Sequence, residues 1–373
     1  MVDIHDLEIG APGPFLPPYE GVIKNAKTID SLGYDSMAFP DHFAGFLPET
    51  IWTPDITPLA FIQQSPHTYY ELAAIMAACA SVTERVKLIS AVTEPIRRHP
   101  ILIAQTFLTL DHISNGRTIL GIGAGEIENI EPYGVSYKGQ VGKLREALQI
   151  IRKVWETSEP FDFNGKYWKM KDAVMSLRPL DPDRPPPIWI AARGPKTLKI
   201  TAEYGDGWIP TLLTPKEYGE KFKEIKNHRK KLDKTGPFTS ALWNWCILDE
   251  DTSAIETMKQ NPIAKTFALG HSSESWERLG FEHPFGDFNP FTNYVPMRHT
   301  REQTLQAIEQ IPDEVLDEFY ISGDAETVIK MLEEYARAGL NHIILWNVTG
   351  MFDLERVKSS YNVLKEILAY VKG

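Results

Sequence analysis

Ala338-Gly339-Leu340-Asn341-His342-Ile343-Ile344-Leu345-Trp346 closes an amphipathic stretch with a glycine and passes at once into an apolar run. A glycine just past a helix adopts the left-handed backbone that stops it, and an apolar run bounded this way reads as a buried strand. The same order recurs at Leu32-Gly33-Tyr34-Asp35 before Ser36-Met37-Ala38-Phe39, and at Tyr204-Gly205-Asp206-Gly207 before Trp208-Ile209-Pro210. Helix, stop, strand is therefore written three times.

Outward from these, five more short apolar runs are bounded by Gly, Pro or charge: Leu7 to Gly10, Val86 to Val92, Thr118 to Ile122, Pro187 to Ala191 and Ala241 to Leu248. Between the runs, apolar residues fall at helical spacing: Val141, Leu144, Leu148, Ile151 and Trp155; Val328, Leu332 and Tyr335; Val357, Tyr361, Leu364 and Leu368. Strands apolar on both faces need helices on their outer side, and parallel neighbours need a crossover helix. Eight such units predict an α/β fold, a (β/α)8 TIM barrel, with a doubly wound open sheet as the alternative. Two stretches break the repeat, about 43–67, rich in Pro and Thr, and about 260–299, rich in aromatics; such insertions shape the pocket when they lie on the strands' C-terminal face. No low-complexity tract or Gly/Ser linker divides residues 1–373, so one domain is expected.

Composition narrows the class. The 373 residues are 43% hydrophobic and 24% charged, which excludes a disordered chain. Lys+Arg 39 against Asp+Glu 50 leaves a net charge of −11, unsuited to nucleic acid or an anionic membrane surface. Cys79 and Cys246 lie outside any paired spacing, so neither a disulfide framework nor a thiolate metal cage is expected. No apolar run is long enough for a membrane span, and Met-Val-Asp-Ile-His-Asp carries no signal-like pattern; the expectation is a cytoplasmic protein.

Four segments carry chemistry. Asp41-His42 follows the second strand, where a barrel points polar residues into its mouth and where the two could divide binding from proton transfer. Ser90-Ala91-Val92-Thr93 ends the third strand with small residues that let a ligand ring approach the backbone, and Arg97 and Arg98 after it could pair with a phosphate or a carboxylate; by itself the segment also reads as a plain turn before Pro100 with solvated arginines. Gly121-Ile122-Gly123-Ala124-Gly125-Glu126 resembles the dinucleotide fingerprint but has Glu126 in place of its third glycine, leaving a glycine-paved strand end with a carboxyl aimed at the mouth. Ala192-Arg193-Gly194-Pro195-Lys196-Thr197 delivers a helix N-terminus flanked by two cations, a ready anion site. No metal or nucleophile motif is present, and His271, His283 and His299 are spaced too loosely to argue ligation, so no metal is expected.

Together these four segments resemble the bacterial-luciferase-like superfamily over most of the chain, and more narrowly its deazaflavin branch, whose members use coenzyme F420. Gly125-Glu126 with Asn129-Ile130-Glu131-Pro132-Tyr133-Gly134-Val135, Trp189-Ile190-Ala191-Ala192 with Gly194-Pro195, and Trp276-Glu277-Arg278 with Glu282-His283-Pro284 look most like the phthiodiolone ketoreductases of that branch. Methylenetetrahydromethanopterin reductase and the F420-dependent alcohol and glucose-6-phosphate dehydrogenases are further relatives.

The resemblance implies a deazaflavin in the barrel mouth and a non-proline cis peptide within Ser90-Ala91-Val92 backing its ring. It implies that Asp41 bonds the ring's polar edge, that Thr93 and Asn129 contact the coenzyme beside Gly125 and Ala192, and that Arg193, Gly194, Pro195, Lys196 and Thr197 hold its phosphate. His42 and Glu126 would be the acid/base pair, with Phe46, Trp276 and His283 around the substrate. Phe46 stands where dehydrogenase relatives often carry Trp, so an indole N–H donor is lost and substrate identity does not transfer. The activity implied is hydride transfer between F420 and a ketone or secondary alcohol. Alternatives are 5,10-methylenetetrahydromethanopterin reduction, an FMN-dependent monooxygenase and a non-catalytic small-molecule binder. By analogy with relatives, a homodimer or homotetramer is expected.

Overall fold

Eight parallel strands close on themselves in the computed structural model, which describes residues 2–373. They are β1 (Glu8–Pro12), β2 (Ser36–Phe39), β3 (Lys87–Ser90), β4 (Thr118–Ile122), β5 (Ile188–Ile190), β6 (Gly207–Trp208), β7 (Thr239–Leu248) and β8 (His342–Asn347). Each pairs with its sequence neighbour. The ring closes where Ile9 of β1 stands opposite Ile343 of β8, and the short β6 meets β7 at Gly207 and Thr239. The (β/α)8 barrel is thus the fold, and the open sheet is excluded.

The strands are apolar on both faces because both are covered. Ala38, Ile89, Ile119, Trp189, Ile209, Ala241, Trp243 and Ile344 fill the barrel interior. Outward residues such as Ile9, Met37, Leu88, Leu120 and Ile343 pack against the helices. The three periodic stretches form helices Gln140–Glu156, Ala325–Ala338 and Val357–Lys372. Gly339 takes the expected left-handed conformation, φ 105°, after the second. Gly205 does not: its φ is −84°, and a Cβ there would lie 2.8 Å from the Thr201 carbonyl oxygen, so its requirement is space.

A polar plug closes the barrel floor. His342 is fully buried on β8; its Nδ1–H donates to Glu8 Oε2 at 2.6 Å and its Nε2 accepts from Ser36 Oγ at 2.8 Å, while Lys87 Nζ bonds Glu8 at 2.6 Å. Both hydrogen-bonding sites of a neutral imidazole are thereby used, which makes its burial tolerable.

Several elements lie outside the sequence reading. An antiparallel hairpin, Phe161–Asn164 with Lys169–Ala173, sits between β4 and β5, and Ile321–Gly323 adds a short strand alongside the far end of β7. The third strand ends at Ser90, earlier than expected, where the chain turns through a cis peptide between Ala91 and Val92. Both cysteines are free and buried, and no helix among the described residues is long and apolar enough to cross a membrane.

Candidate active site

The C-terminal ends of the strands open into a cavity of about 1340 Å³. Its floor is made of small side chains, Ala91, Val92, Gly123, Ala124, Ala191 and Ala192, delivered by the ends of β3, β4 and β5. The backbone here is packed to contact. A Cβ on Gly121 would fall 1.8 Å from the Ser90 carbonyl oxygen, and Ser90 Oγ bridges the Gly121 N–H and C=O at 2.9 and 2.8 Å. Ser90 therefore ties β3 to β4 and is not among the cavity-lining residues, a correction to its expected place beneath a ring.

Asp41 and His42 leave β2 on the rim. Asp41 is buried, and its carboxylate accepts Thr93 Oγ1 at 2.7 Å and Arg98 Nε and Nη2 at 3.1 Å each, with Arg97 Nη2 at 3.5 Å. Burial alone would raise its pKa; the Arg98 hydrogen bonds and the charge of Arg97 outweigh it and hold the carboxyl below its ordinary range. Of the two readings of Arg97 and Arg98, the carboxylate pairing holds: they clamp Asp41 and neither is a solvated turn residue. One expectation changes. Thr93 is fully buried and spends its hydroxyl on Asp41, with no face on the cavity.

His42 faces Glu126 across the mouth, Nε2 to Oε2, at 3.2 Å. The ring is stacked on Tyr69 (centroids 5.5 Å) and edged by Phe46 (5.6 Å). Its Nδ1 lies 3.2 Å from the Ala44 carbonyl oxygen, which can only accept, so this nitrogen carries a hydrogen. Nε2 and the Glu126 oxygen can then bond only if one of them bears a proton. The contact has room for one shared proton.

Asn129 holds this arrangement from behind. Its Oδ1 accepts the N–H groups of Phe43 at 2.7 Å and Ala44 at 2.9 Å, and its Nδ2 lies 3.4 Å from Glu126 Oε2. It lines the cavity, but its acceptor is spent on the loop that follows His42. One group escaped sequence reasoning. Glu128, fully buried one residue before Asn129, has its carboxyl within 4.8 Å of the donor atoms of both His42 and Glu126. A carboxyl two residues beyond Glu126 was the available signal; the turn Ile127–Asn129 that folds it inward was not legible.

At the opposite wall, the helix Pro195–Tyr204 presents its N-terminus, and Arg193, Gly194, Pro195, Lys196 and Thr197 all line the cavity. Gly194 caps the helix without a side chain, leaving its first N–H groups free. The half-buried Arg193 guanidinium has no carboxylate within 4.0 Å among the described residues, and desolvation lowers its pKa. Lys221, whose Nζ bonds the Arg193 carbonyl at 3.1 Å, adds a further cation.

From the first insertion Phe46, Leu47, Trp52, Leu59, Gln63 and Pro66 line the cavity. From the second, Phe267, Ser272, Ser275 and Phe291 do so, but Trp276 and His283 do not. These two are 1% and 5% exposed and pack on one another, with His283 stacked on Phe288 at 4.2 Å and hydrogen-bonded to the Leu269 carbonyl at 3.1 Å. They build the insertion's own core, because buried aromatic area favours mutual contact over an open pocket.

The luciferase-like monooxygenase family model matches residues 5–342. The phthiodiolone/phenolphthiodiolone dimycocerosates ketoreductase of Mycobacterium tuberculosis is 29% identical over 338 residues, covering 89% of this chain and 88% of its own. The 5,10-methylenetetrahydromethanopterin reductase of Archaeoglobus fulgidus is 27% identical over 300 residues, 80% and 87% of the two chains. Among solved structures, an F420-dependent secondary alcohol dehydrogenase in complex with an F420-acetone adduct superposes with a TM-score of 0.75 at 22% identity, over 98% and 99% of the two chains. The family model spans the whole barrel, so the chain is an oxidoreductase that belongs to the luciferase-like monooxygenase family.

Proposed function

We propose that the protein transfers a hydride between coenzyme F420 and a ketone or secondary alcohol. The observation that carries this reading is the His42–Glu126 pair, 3.2 Å apart and so able to share a proton, above a floor without bulky side chains. Support for F420 comes from the fit of the cavity and from the ligand named for the alcohol dehydrogenase that shares the fold. The flat floor from Ala91 to Val92 and from Gly123 to Ala124 suits a planar tricyclic ring. Arg193, without a carboxylate partner, and the uncapped helix N-terminus at Gly194 to Thr197 suit a phosphate. Asp41, Gly125 and Asn129 would border the ring.

Reduced deazaflavin, carrying carbon where a flavin has N5, supplies a hydride and reacts poorly with oxygen. The chain's own part is orientation, exclusion of water and a proton. Phe46, Trp243, Trp245 and Trp346 present apolar walls to the substrate. The proton held between His42 Nε2 and Glu126 Oε2 passes to the developing alkoxide; in the alcohol-oxidising direction the same pair takes it back. Phe46 offers no N–H to that oxygen, so the imidazole and the carboxyl carry the charge stabilisation that an indole there would share.

The reading is tested by titrating the protein side by side with F420 and FMN, then assaying His42→Asn. Micromolar F420 binding, no oxygen uptake, and ketone reduction down by roughly 100-fold in the variant are expected. Unchanged turnover in the variant removes the acid/base pair. In that case methylenetetrahydromethanopterin, whose reduction needs hydride with less demand on His42, becomes the substrate to assay, as the relationship to the Archaeoglobus reductase suggests. FMN-supported oxygen consumption would replace F420 altogether.

A further inference from the structure

Behind the His42–Glu126 pair lies a carboxyl that the mechanism above does not use. Glu128 is fully buried, does not line the cavity, and among the described residues its Oε2 has no hydrogen-bond partner. Its Oε1 lies 3.5 Å from Asn129 Nδ2, and its carboxyl is within 4.8 Å of the facing atoms of Glu126 and His42. An ionised carboxylate in that position would be poorly compensated, and Glu126 stands close enough to oppose a second negative charge. We infer that Glu128 is a neutral carboxylic acid that reloads the His42–Glu126 pair with a proton through Glu126, a positioning and relay residue that never touches the substrate.

The surroundings bear on this from every side. Glu126 and Asn129 face Glu128 from its own turn, and His42 from the end of β2. Arg97, after β3, favours ionisation but is engaged by Glu94 and Asp41. Tyr69, just past the first insertion, and Tyr294, in the second, also approach, and Tyr137 stands beside Glu126 with its hydroxyl on the Gly125 carbonyl. Burial first, and the Glu126 charge second, push Glu128 well above the ordinary carboxylate range, with Arg97 the opposing influence.

The proton count closes. When the pair gives its proton to the alkoxide, the alcohol O–H forms, and His42 Nε2 and Glu126 Oε2 are left as two acceptors facing each other. The Glu128 O–H then breaks and its proton moves to Glu126, leaving Glu128 as the carboxylate. Solvent returns one proton to Glu128 after product leaves. Electron pairs stay on oxygen or nitrogen throughout, and no redox partner is needed.

This inference rests on the proposed acid/base role of His42 and Glu126, and its test separates the two. In the protein without coenzyme, isotope-edited infrared spectroscopy at neutral pH is expected to show the carbonyl stretch of a protonated carboxylic acid, absent from Glu128→Gln. In Glu126→Gln that band should titrate away at lower pH, because the opposing charge is gone. With F420 bound, Glu128→Gln should keep its coenzyme affinity and lose about tenfold in ketone reduction above neutral pH, with a smaller loss in mild acid where solvent protons reload the pair. A wild-type spectrum without the acid band, or a pH profile of Glu128→Gln superimposable on wild type, overturns the relay. Stoichiometric Zn²⁺ uptake lost in Glu128→Gln would do the same, by making the three groups a cation site. Should Glu128→Gln not fold, the wild-type and Glu126→Gln spectra decide. If His42→Asn is fully active while the acid band is present, the proposed function fails and the protonated state of Glu128 stands.

Discussion

Arg98 grips Asp41 with two parallel hydrogen bonds, Nε to Oδ2 and Nη2 to Oδ1, both 3.1 Å. A fork of this kind needs the planar guanidinium, and a lysine cannot reproduce it. Arg98→Lys is expected to cost about 1.5 kcal/mol of stability and to weaken coenzyme binding, because Asp41 would lose its orientation. Asp41→Asn should cost about 3 kcal/mol, less than a wholly stranded pair, since Arg97 keeps Glu94 and Arg98 keeps Glu71. Urea unfolding of both variants checks the order.

The loop after His42 depends on one carboxamide. Asn129→Ala removes the acceptor shared by the Phe43 and Ala44 N–H groups and should cost about 2 kcal/mol. Turnover should fall more steeply than coenzyme affinity, because His42 loses its register against Glu126. Steady-state kinetics with a kcat against KM comparison separates these effects.

Two glycines should respond oppositely to alanine. At Gly121 a Cβ would overlap the Ser90 carbonyl oxygen at 1.8 Å; backbone must move, and a loss of more than about 3 kcal/mol or failure to fold is expected. At Gly194, φ −86°, the nearest atom to a Cβ is Thr197 Oγ1 at 4.0 Å, so the change should stay within about 1 kcal/mol. Thermal melts of the two variants measure the contrast.

Stability should rise with pH through acid. Glu8 is lowered to about 2: burial opposes this, but the hydrogen bond from His342 and the hydrogen bond and charge of Lys87 outweigh it. Its contribution is complete above the unfolded value of 4.5 and is lost as pH falls toward 2. His342, lowered chiefly by burial, releases its proton on folding and adds the same sign below 6.5. Glu8 is 36% exposed, so solvent screening reduces its share to about 1 kcal/mol. Glu8→Gln should flatten the acid limb of a denaturation-midpoint profile.

The wall carrying Arg193, Lys196 and Lys221 runs against the chain's net charge of −11. Arg193→Ala should lower F420 affinity by roughly tenfold and flatten its dependence on salt, since a half-buried cation facing a phosphate is only partly screened. Isothermal titration at two salt concentrations measures both effects. Salt-insensitive binding by wild type would contradict the assignment of Arg193 and Lys196.

The barrel was legible because its causes are local. Apolar runs such as Ile343 to Leu345 are covered on both faces, and Gly33 and Gly339 end helices by a conformation that few residues tolerate. That Asp41-His42, Gly125-Glu126 and Arg193 to Thr197 meet at one cavity was legible for the same reason, since a barrel sends every strand end to one mouth. What lay beyond the sequence were choices among partners remote in the chain. Thr93 and both arginines turned to Asp41, Ser90 to Gly121, and Trp276 and His283 to each other. Hydrogen-bonding capacity and aromatic area are spent on whatever tertiary neighbour arrives first, and spacing along the chain does not encode that neighbour. Glu128 is the clearest case: its sequence context is that of an exposed acid, and only the inward turn at 127–129, closing against His42 and Glu126, buries it.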